Sequence, residues 1–457
     1  MVDSRRGDRR LNAPGEGRFG RRTIVILGLF LVFQALWFAL LSSPGPRVLQ
    51  GDEPRYQREA LSIASGVAPA PEFLWPPFQK WFLGGVFRVA GSGPIPLAVL
   101  QTLLLAAAAL LFWRLAILAG VGAPAADAAL ALLLLDPQVG SFAFSLWPEI
   151  TYLFLLGSAL ALIFLKSRPA YFLGGVSLGL TLLTKSVIGP FLPVIALAAV
   201  LHGEAVKAAS RGLRIVLLAA GLAAVLVPLI VWNGLHHGVW GVGSSGAFNL
   251  WIGLEDPDSR TDYDATAGRI YAEYQNAGIT PGDRDRAALA RVRERVAQRG
   301  LLGTLRGQLG KQYTRLFDKN SFFTDQLAGG RFRRSEPETT PAFLARRWAW
   351  GMHALTLTLA SFGLFLLPPA AVRKKLWLPL TYLGYCVGIL LLLHVKTRYR
   401  VAFLPCVDLF AGCAVAWLVA PRKALLPEDA TSSASKWRRL LAGTALSTLL
   451  LWLSFGP

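Results

Sequence analysis

Three carboxylates and five cations stand where charge is expensive in an apolar chain. Asp52 and Glu53 sit in Gly51-Asp52-Glu53-Pro54-Arg55-Tyr56-Gln57-Arg58, after the first long apolar run, and Glu149 follows Leu146-Trp147-Pro148 at the head of another. Lys80 comes shortly after Trp75-Pro76-Pro77, Lys185 interrupts an apolar segment, and Lys396, Arg398 and Arg400 precede a further run. Ionisable residues at the edges or inside of membrane spans are functional suspects because they are costly to keep there. Carboxylates opposite cations can share a displacement reaction: the carboxylate takes the proton of the attacking group, and the cations hold the charge of the departing oxygen. Structural roles stay open beside this one. Asp52 can cap a helix over Pro54–Ser65 with Glu53 favoured by its dipole, and Glu149 can be a helix N-terminal carboxylate. Lys396, Arg398 and Arg400 can be interfacial anchors.

The elements that must position these residues are membrane spans. Of 457 residues, 54% are apolar and only 16% charged, which excludes an ordinary soluble domain. Successive apolar runs of roughly 18–22 residues indicate a polytopic, all-α membrane protein. We expect about eleven crossings: Thr23–Leu41, Ile95–Ala119, Ala125–Leu135, Glu149–Leu165, two half-spans within Ala170–Leu201 meeting near Lys185, Ile215–Trp232, Trp348–Leu367, Leu376–His394, Val401–Val419 and Leu440–Phe455. Arginines crowd the first 22 residues, so the N-terminus is expected in the cytoplasm and the Asp-Glu stretch on the far side. Four regions result: the basic segment 1–22, a transmembrane module 23–232 carrying the first outer loop 42–94, a large outer region 233–347, and a second transmembrane module 348–457. The net charge of +20 lies mostly in short loops and follows the positive-inside rule, so no nucleic-acid partner is implied. Cys386, Cys406 and Cys413 fall in apolar runs and read as core residues, not as a disulfide framework or zinc site.

In that topology the carboxylates and cations converge on the outer face, and one reaction suits them: moving a sugar off a lipid phosphate. The phosphate needs positive charge around its oxygens more than a general acid. The acceptor hydroxyl needs a base, and a carboxylate opposite the leaving group gives inversion. Asp52 is the expected base, kept ionised by Arg55 and Arg58. No cofactor is required; a divalent cation (Mg, Mn or Ca) held by Asp52, Glu53 and Glu149 is left open.

The order of these motifs resembles the GT-C superfamily of membrane glycosyltransferases, in the branch of protein O-mannosyltransferases and bacterial lipid A aminoarabinose transferases. Asp52-Glu53 matches the Asp-Glu pair that opens a juxtamembrane helix there, and Trp75-Pro76-Pro77 with nearby Lys80 matches the aromatic Pro-Pro stretch. Glu149 matches a Glu in the second outer loop, and Leu182-Leu183-Thr184-Lys185 matches the short fifth span ending in a basic residue. Phe248-Asn249-Leu250-Trp251-Ile252-Gly253 and Arg398-Tyr399-Arg400 with Pro405 match the later motifs. The outer region lacks the repeated domains of eukaryotic protein mannosyltransferases, which points to a bacterial type. The resemblance implies an inner-membrane enzyme, its site facing the periplasm, that takes a polyprenyl-phosphate-linked sugar and passes it to a lipid, glycan or protein acceptor. By the same resemblance Asp52, Glu53 and Glu149 are catalytic, and Lys80, Lys185, Lys396, Arg398 and Arg400 surround the donor phosphate. Arg55, Tyr56, Trp75, Asn249 and Trp251 form the acceptor or sugar region. A lipid-linked-sugar flippase, and a polymerase or ligase using a diphosphate donor, are the alternatives. A flippase would show internal repeats and midplane charges, and neither is evident.

Overall fold

A computed structural model describes residues 20–42, 49–67, 74–201, 208–243, 245–255, 263–327, 338–366, 376–419 and 433–456. Among these every regular element is a helix, as backbone crossing lipid must satisfy its hydrogen bonds internally. Four helices are long and apolar enough to cross a membrane: Arg21–Leu41, Pro94–Leu118, Arg211–His237 and Thr340–Leu366. The pair Ala123–Leu135 and Pro137–Phe144, bent by 55°, makes a fifth if it is one span. Glu149–Phe164, Ser186–Leu201, Trp377–Leu392 and Leu404–Val419 are apolar but shorter. By length, then, the described helices supply up to five of the eleven expected crossings, and the other apolar runs fold into helices below that criterion. The chain is integral to a membrane.

Several local expectations meet their elements closely. The segment between the first two long apolar helices holds the two helices Glu53–Ala64 and Phe78–Ala90. They pack tightly: a Cβ on Gly84 would lie 2.6 Å from Ile63 Cγ2, so only glycine admits this approach. The segment around Lys185 breaks as its charge and prolines suggest, with helix Arg168–Thr184 ending there and a 3-10 turn Ser186–Phe191 leading into Leu192–Leu201. Arg168–Thr184 then lies backbone to backbone against Ala208–His237, where a Cβ on Gly175 would stand 2.1 Å from the Leu218 carbonyl. The stretch Asp136–Pro148, between two apolar runs of the sequence, is buried and largely helical. The basic stretches around Lys207, Arg373-Lys374-Lys375 and Arg422 lie outside the described residues.

The region 233–347 contributes helices Ser245–Glu255, Tyr263–Asn276, Pro281–Arg299, Leu301–Leu316 and Phe322–Leu327. Thr280 and Asp283 form a reciprocal capping box at the start of Pro281–Arg299. A separate small core of Leu74, Phe248, Trp251, Ile252, Ile270, Tyr274 and Ala288 joins this region to the chain just before Phe78–Ala90.

The strand of chain that carries Glu149 is held from three sides. Glu53 accepts from the Leu146 amide at 2.9 Å. Gln79 Nε2 donates to the carbonyls of Leu146 and Trp147, at 3.0 and 3.2 Å. Gln101 Nε2 donates to the Ser145 carbonyl at 2.6 Å and to that of Ala143 at 3.3 Å. Buried polar side chains that satisfy irregular backbone in this way fix it at the cost of being irreplaceable.

Candidate active site

Four charged groups meet where that stretch faces the start of Glu53–Ala64. Arg398 Nη2 donates to Asp52 Oδ2 at 2.9 Å, and its Nη1 stands 3.8 Å from Glu149 Oε1. Lys185 Nζ donates to the same Glu149 oxygen at 2.7 Å. Two carboxylates and two cations thus neutralise one another in an unbroken chain, Asp52–Arg398–Glu149–Lys185. Each is placed by a helix end. Asp52 precedes Glu53–Ala64, and Glu149 opens Glu149–Phe164, where the dipole favours a carboxylate. Lys185 follows the C-terminus of Arg168–Thr184, where a cation is favoured, and Arg398 rides on a 3-10 turn, Thr397–Ala402.

Asp52 makes no side-chain cap to its own helix, so its carboxylate is turned to Arg398. Glu149 is 1% exposed, and its second oxygen, Oε2, is buried with no hydrogen-bond partner among the described residues. The Arg398 guanidinium lies over the Trp147 ring at 4.7 Å and near Tyr399 at 5.4 Å, while Lys185 approaches Tyr399 at 5.5 Å. Burial works against the charge on Arg398, but Glu149, Tyr399 and Asp52 outweigh it and raise its pKa, so it stays a cation. Burial, with Asp52 beside it, pushes the Tyr56 hydroxyl up, leaving a neutral phenol.

Asp52, Lys185, Arg398 and Tyr56 border a cavity of about 150 Å³, whereas Glu149 is not part of its wall and reaches it only through Lys185 and Arg398. Asp52, Tyr56, Trp75, Lys185, Asn249 and Arg398 line it. On the helix Ser245–Glu255, Asn249 faces the cavity while Phe248, Trp251 and Ile252 turn to the small core. Tyr399, His394, Thr184, Ser186 and Cys386 also line it, none of them assigned to the site by sequence pattern. Tyr399 lies within Arg398-Tyr399-Arg400, and that motif is its signal in the sequence.

The structure separates the remaining candidates from the cavity. Glu53 is fully buried, and its two oxygens accept from the amides of Gln50 and Leu146 at 2.9 Å each, so it clamps the loops and does not present a base. Trp251 is core. Lys80 pairs with Glu59 at 2.9 Å and Arg55 with the same carboxylate at 2.9 Å, beside a narrow crevice next to the cavity. Arg400 is buried elsewhere, donating to the Asp318 carbonyl at 2.6 Å and to Gln138 Oε1. Lys396 is partly exposed just before the 3-10 turn and is not part of the cavity wall. Arg58 is exposed, so the cation that faces Asp52 is Arg398. Asp52, Glu53 and Glu149 do not fit a divalent cation: Glu53 is committed to amides, and the other two carboxylates face cations. No cluster of three metal-ligating side chains occurs among the described residues.

No family model and no curated protein matches the chain. Among solved structures it is similar to the oligosaccharyltransferase AglB of Archaeoglobus fulgidus in complex with an inhibitory peptide and a dolichol-phosphate, at 15% identity and TM-score 0.48. The apo form of the Archaeoglobus fulgidus oligosaccharyltransferase matches at 16% and 0.49. Each match covers 94% of this chain and 55% of the other, so the chain spans about half the length of these archaeal proteins. ArnT from Cupriavidus metallidurans bound to undecaprenyl phosphate matches at 17% identity and TM-score 0.33, covering 95% of this chain and 90% of that one. With TM-scores below 0.5, the functional reading falls to the chain's own residues.

Proposed function

We propose that the chain is a GT-C-type membrane glycosyltransferase that moves a sugar from a polyprenyl-phosphate-linked donor to an acceptor hydroxyl, with Asp52 as general base. The observation that carries it is the Asp52–Arg398 pair at 2.9 Å on the wall of a cavity that Lys185 also borders. The acceptor oxygen attacks the anomeric carbon, the bond from that carbon to the phosphate oxygen breaks, and the hydroxyl proton passes to the Asp52 carboxylate. The phosphate leaves with its negative charge on Arg398 and Lys185, preorganised donors of the kind that stabilise developing oxyanions. Before the donor arrives these cations rest on Asp52 and Glu149. A phosphate taking their hydrogen bonds frees Asp52 to accept a proton, and Glu149 stays as the counter-charge that keeps both cations in place.

In this proposal the N-terminus is cytoplasmic, the enzyme sits in the inner membrane, and the cavity opens to the periplasm. Cysteines placed near Asp258 and Ser335 should react with an impermeant reagent added outside, and those at Lys207 or Arg422 should not. Labelling at Lys207 would overturn the topology. The chemistry is tested by the released lipid: polyprenyl monophosphate supports this reaction, whereas polyprenyl diphosphate would mean a polymerase or ligase. Movement of intact donor across the bilayer without sugar release would mean a flippase.

A further inference from the structure

A second cavity, of about 340 Å³, lies among the helices Pro94–Leu118, Ala123–Leu135, Glu149–Phe164, Leu192–Leu201, Trp377–Leu392 and Leu404–Val419. Its volume falls within the range of ligand pockets, roughly 300–1,000 Å³. Its wall is apolar, with Phe112, Leu133, Leu156, Ile195 and Leu409 among its side chains. Two polar groups on the wall are already used: Trp113 Nε1 donates to Asp127 at 2.9 Å, and the Tyr382 hydroxyl bonds that of Tyr152 at 2.8 Å. One is not. Asp408, one turn into Leu404–Val419, borders the cavity, is 3% exposed, and has no hydrogen-bond or ion-pair partner among the described residues.

A carboxyl group facing an apolar space inside a membrane protein is expensive unless something pairs with it. A bound water needs two to four polar partners, and beside Asp408 the wall's polar side chains are the Trp113 and Tyr382 groups already in use, the Trp377 indole and the weakly bonding Cys406 thiol. An anionic head would be repelled by Asp408, and a purely apolar guest would leave it unpaired. A cation on an apolar chain satisfies both halves of the site. We propose that this cavity is a ligand site of its own that takes a long-chain primary amine, with Asp408 as the counter-ion to the ammonium and the apolar wall around the chain. The mechanism proposed above does not use Asp408, so the two readings stand or fall separately.

The test is native mass spectrometry of the full chain in detergent, titrated with dodecylamine and, in parallel, with laurate. Wild type should carry one bound amine and no stoichiometric laurate. D408N preserves volume while removing the charge, and should bind the amine roughly tenfold or more weakly, as loss of a charged hydrogen bond implies. Leu133→Trp leaves Asp408 untouched and fills the cavity from another wall, so it should also lose the amine and serves if D408N fails to fold. Equal amine binding by wild type and either folded variant, or laurate binding as tight as the amine, would overturn the proposal.

Discussion

Replacing Arg398 by alanine separates donor binding from architecture. Its side chain is 11% exposed and serves Asp52 and Glu149 at once while lying on Trp147. Removing it does not strip Glu149 of its counter-ion, because Lys185 stays 2.7 Å away, and Asp52, at 32% side-chain exposure, keeps some access to water. The variant should therefore fold and insert. Its loss falls on the phosphate: one charged hydrogen bond contributes about 1.5–3 kcal/mol, which is roughly 10- to 150-fold in affinity. Lysine at the same position keeps the charge but gives up the planar fork and its stacking, and should recover only part of that loss. The assay is binding of labelled polyprenyl phosphate to the purified protein in nanodiscs, with thermal unfolding as the check on folding. Normal donor binding by a folded Arg398→Ala variant would refute the phosphate role and return Arg398 to an interfacial anchor.

Glu149→Gln keeps the shape but weakens the bridge between Lys185 and Arg398, so turnover should fall and remain measurable, in contrast to Asp52→Asn; equal losses in the two would point to a shared proton site. Glu53→Gln should lower the melting temperature, because the new amide NH₂ cannot accept from one of the two backbone amides and each orphaned buried group costs about 1–3 kcal/mol. Donor binding per folded molecule should be unchanged in that variant, and a selective loss of transfer with full stability would instead make Glu53 catalytic.

What the sequence makes legible here is the coarse frame: where apolar helices run, where Lys185 breaks one, and which loops carry charge. It does not reveal which of two adjacent charges faces the cavity. Asp52 and Glu53 are equivalent by composition, yet one is turned to Arg398 and the other is taken up by the amides of a loop distant in sequence. That choice depends on the fold of Asp136–Pro148, which no local pattern announces. Arg398 and Arg400 diverge for a simpler reason. In an extended chain residues two apart share a face, but Thr397–Ala402 winds as a 3-10 helix, at about three residues per turn, and sends them in different directions. Likewise Asn249 and Trp251 belong to one motif but occupy opposite roles, because a helical period places one on the cavity and the other in the small core. Arg55 and Lys80, legible as basic neighbours of the site, find a nearer carboxylate in Glu59.

The most direct measurement is sugar transfer by Asp52→Asn. A positioned base typically contributes about 10²–10⁴-fold, and asparagine keeps the volume and can still accept from Arg398 through its amide oxygen. We expect a variant that expresses, inserts and binds polyprenyl-phosphate donor, yet transfers sugar at a rate lower by that factor. Transfer at the wild-type rate by the folded, donor-binding variant would contradict the mechanism and leave Asp52 as nothing more than a partner for Arg398.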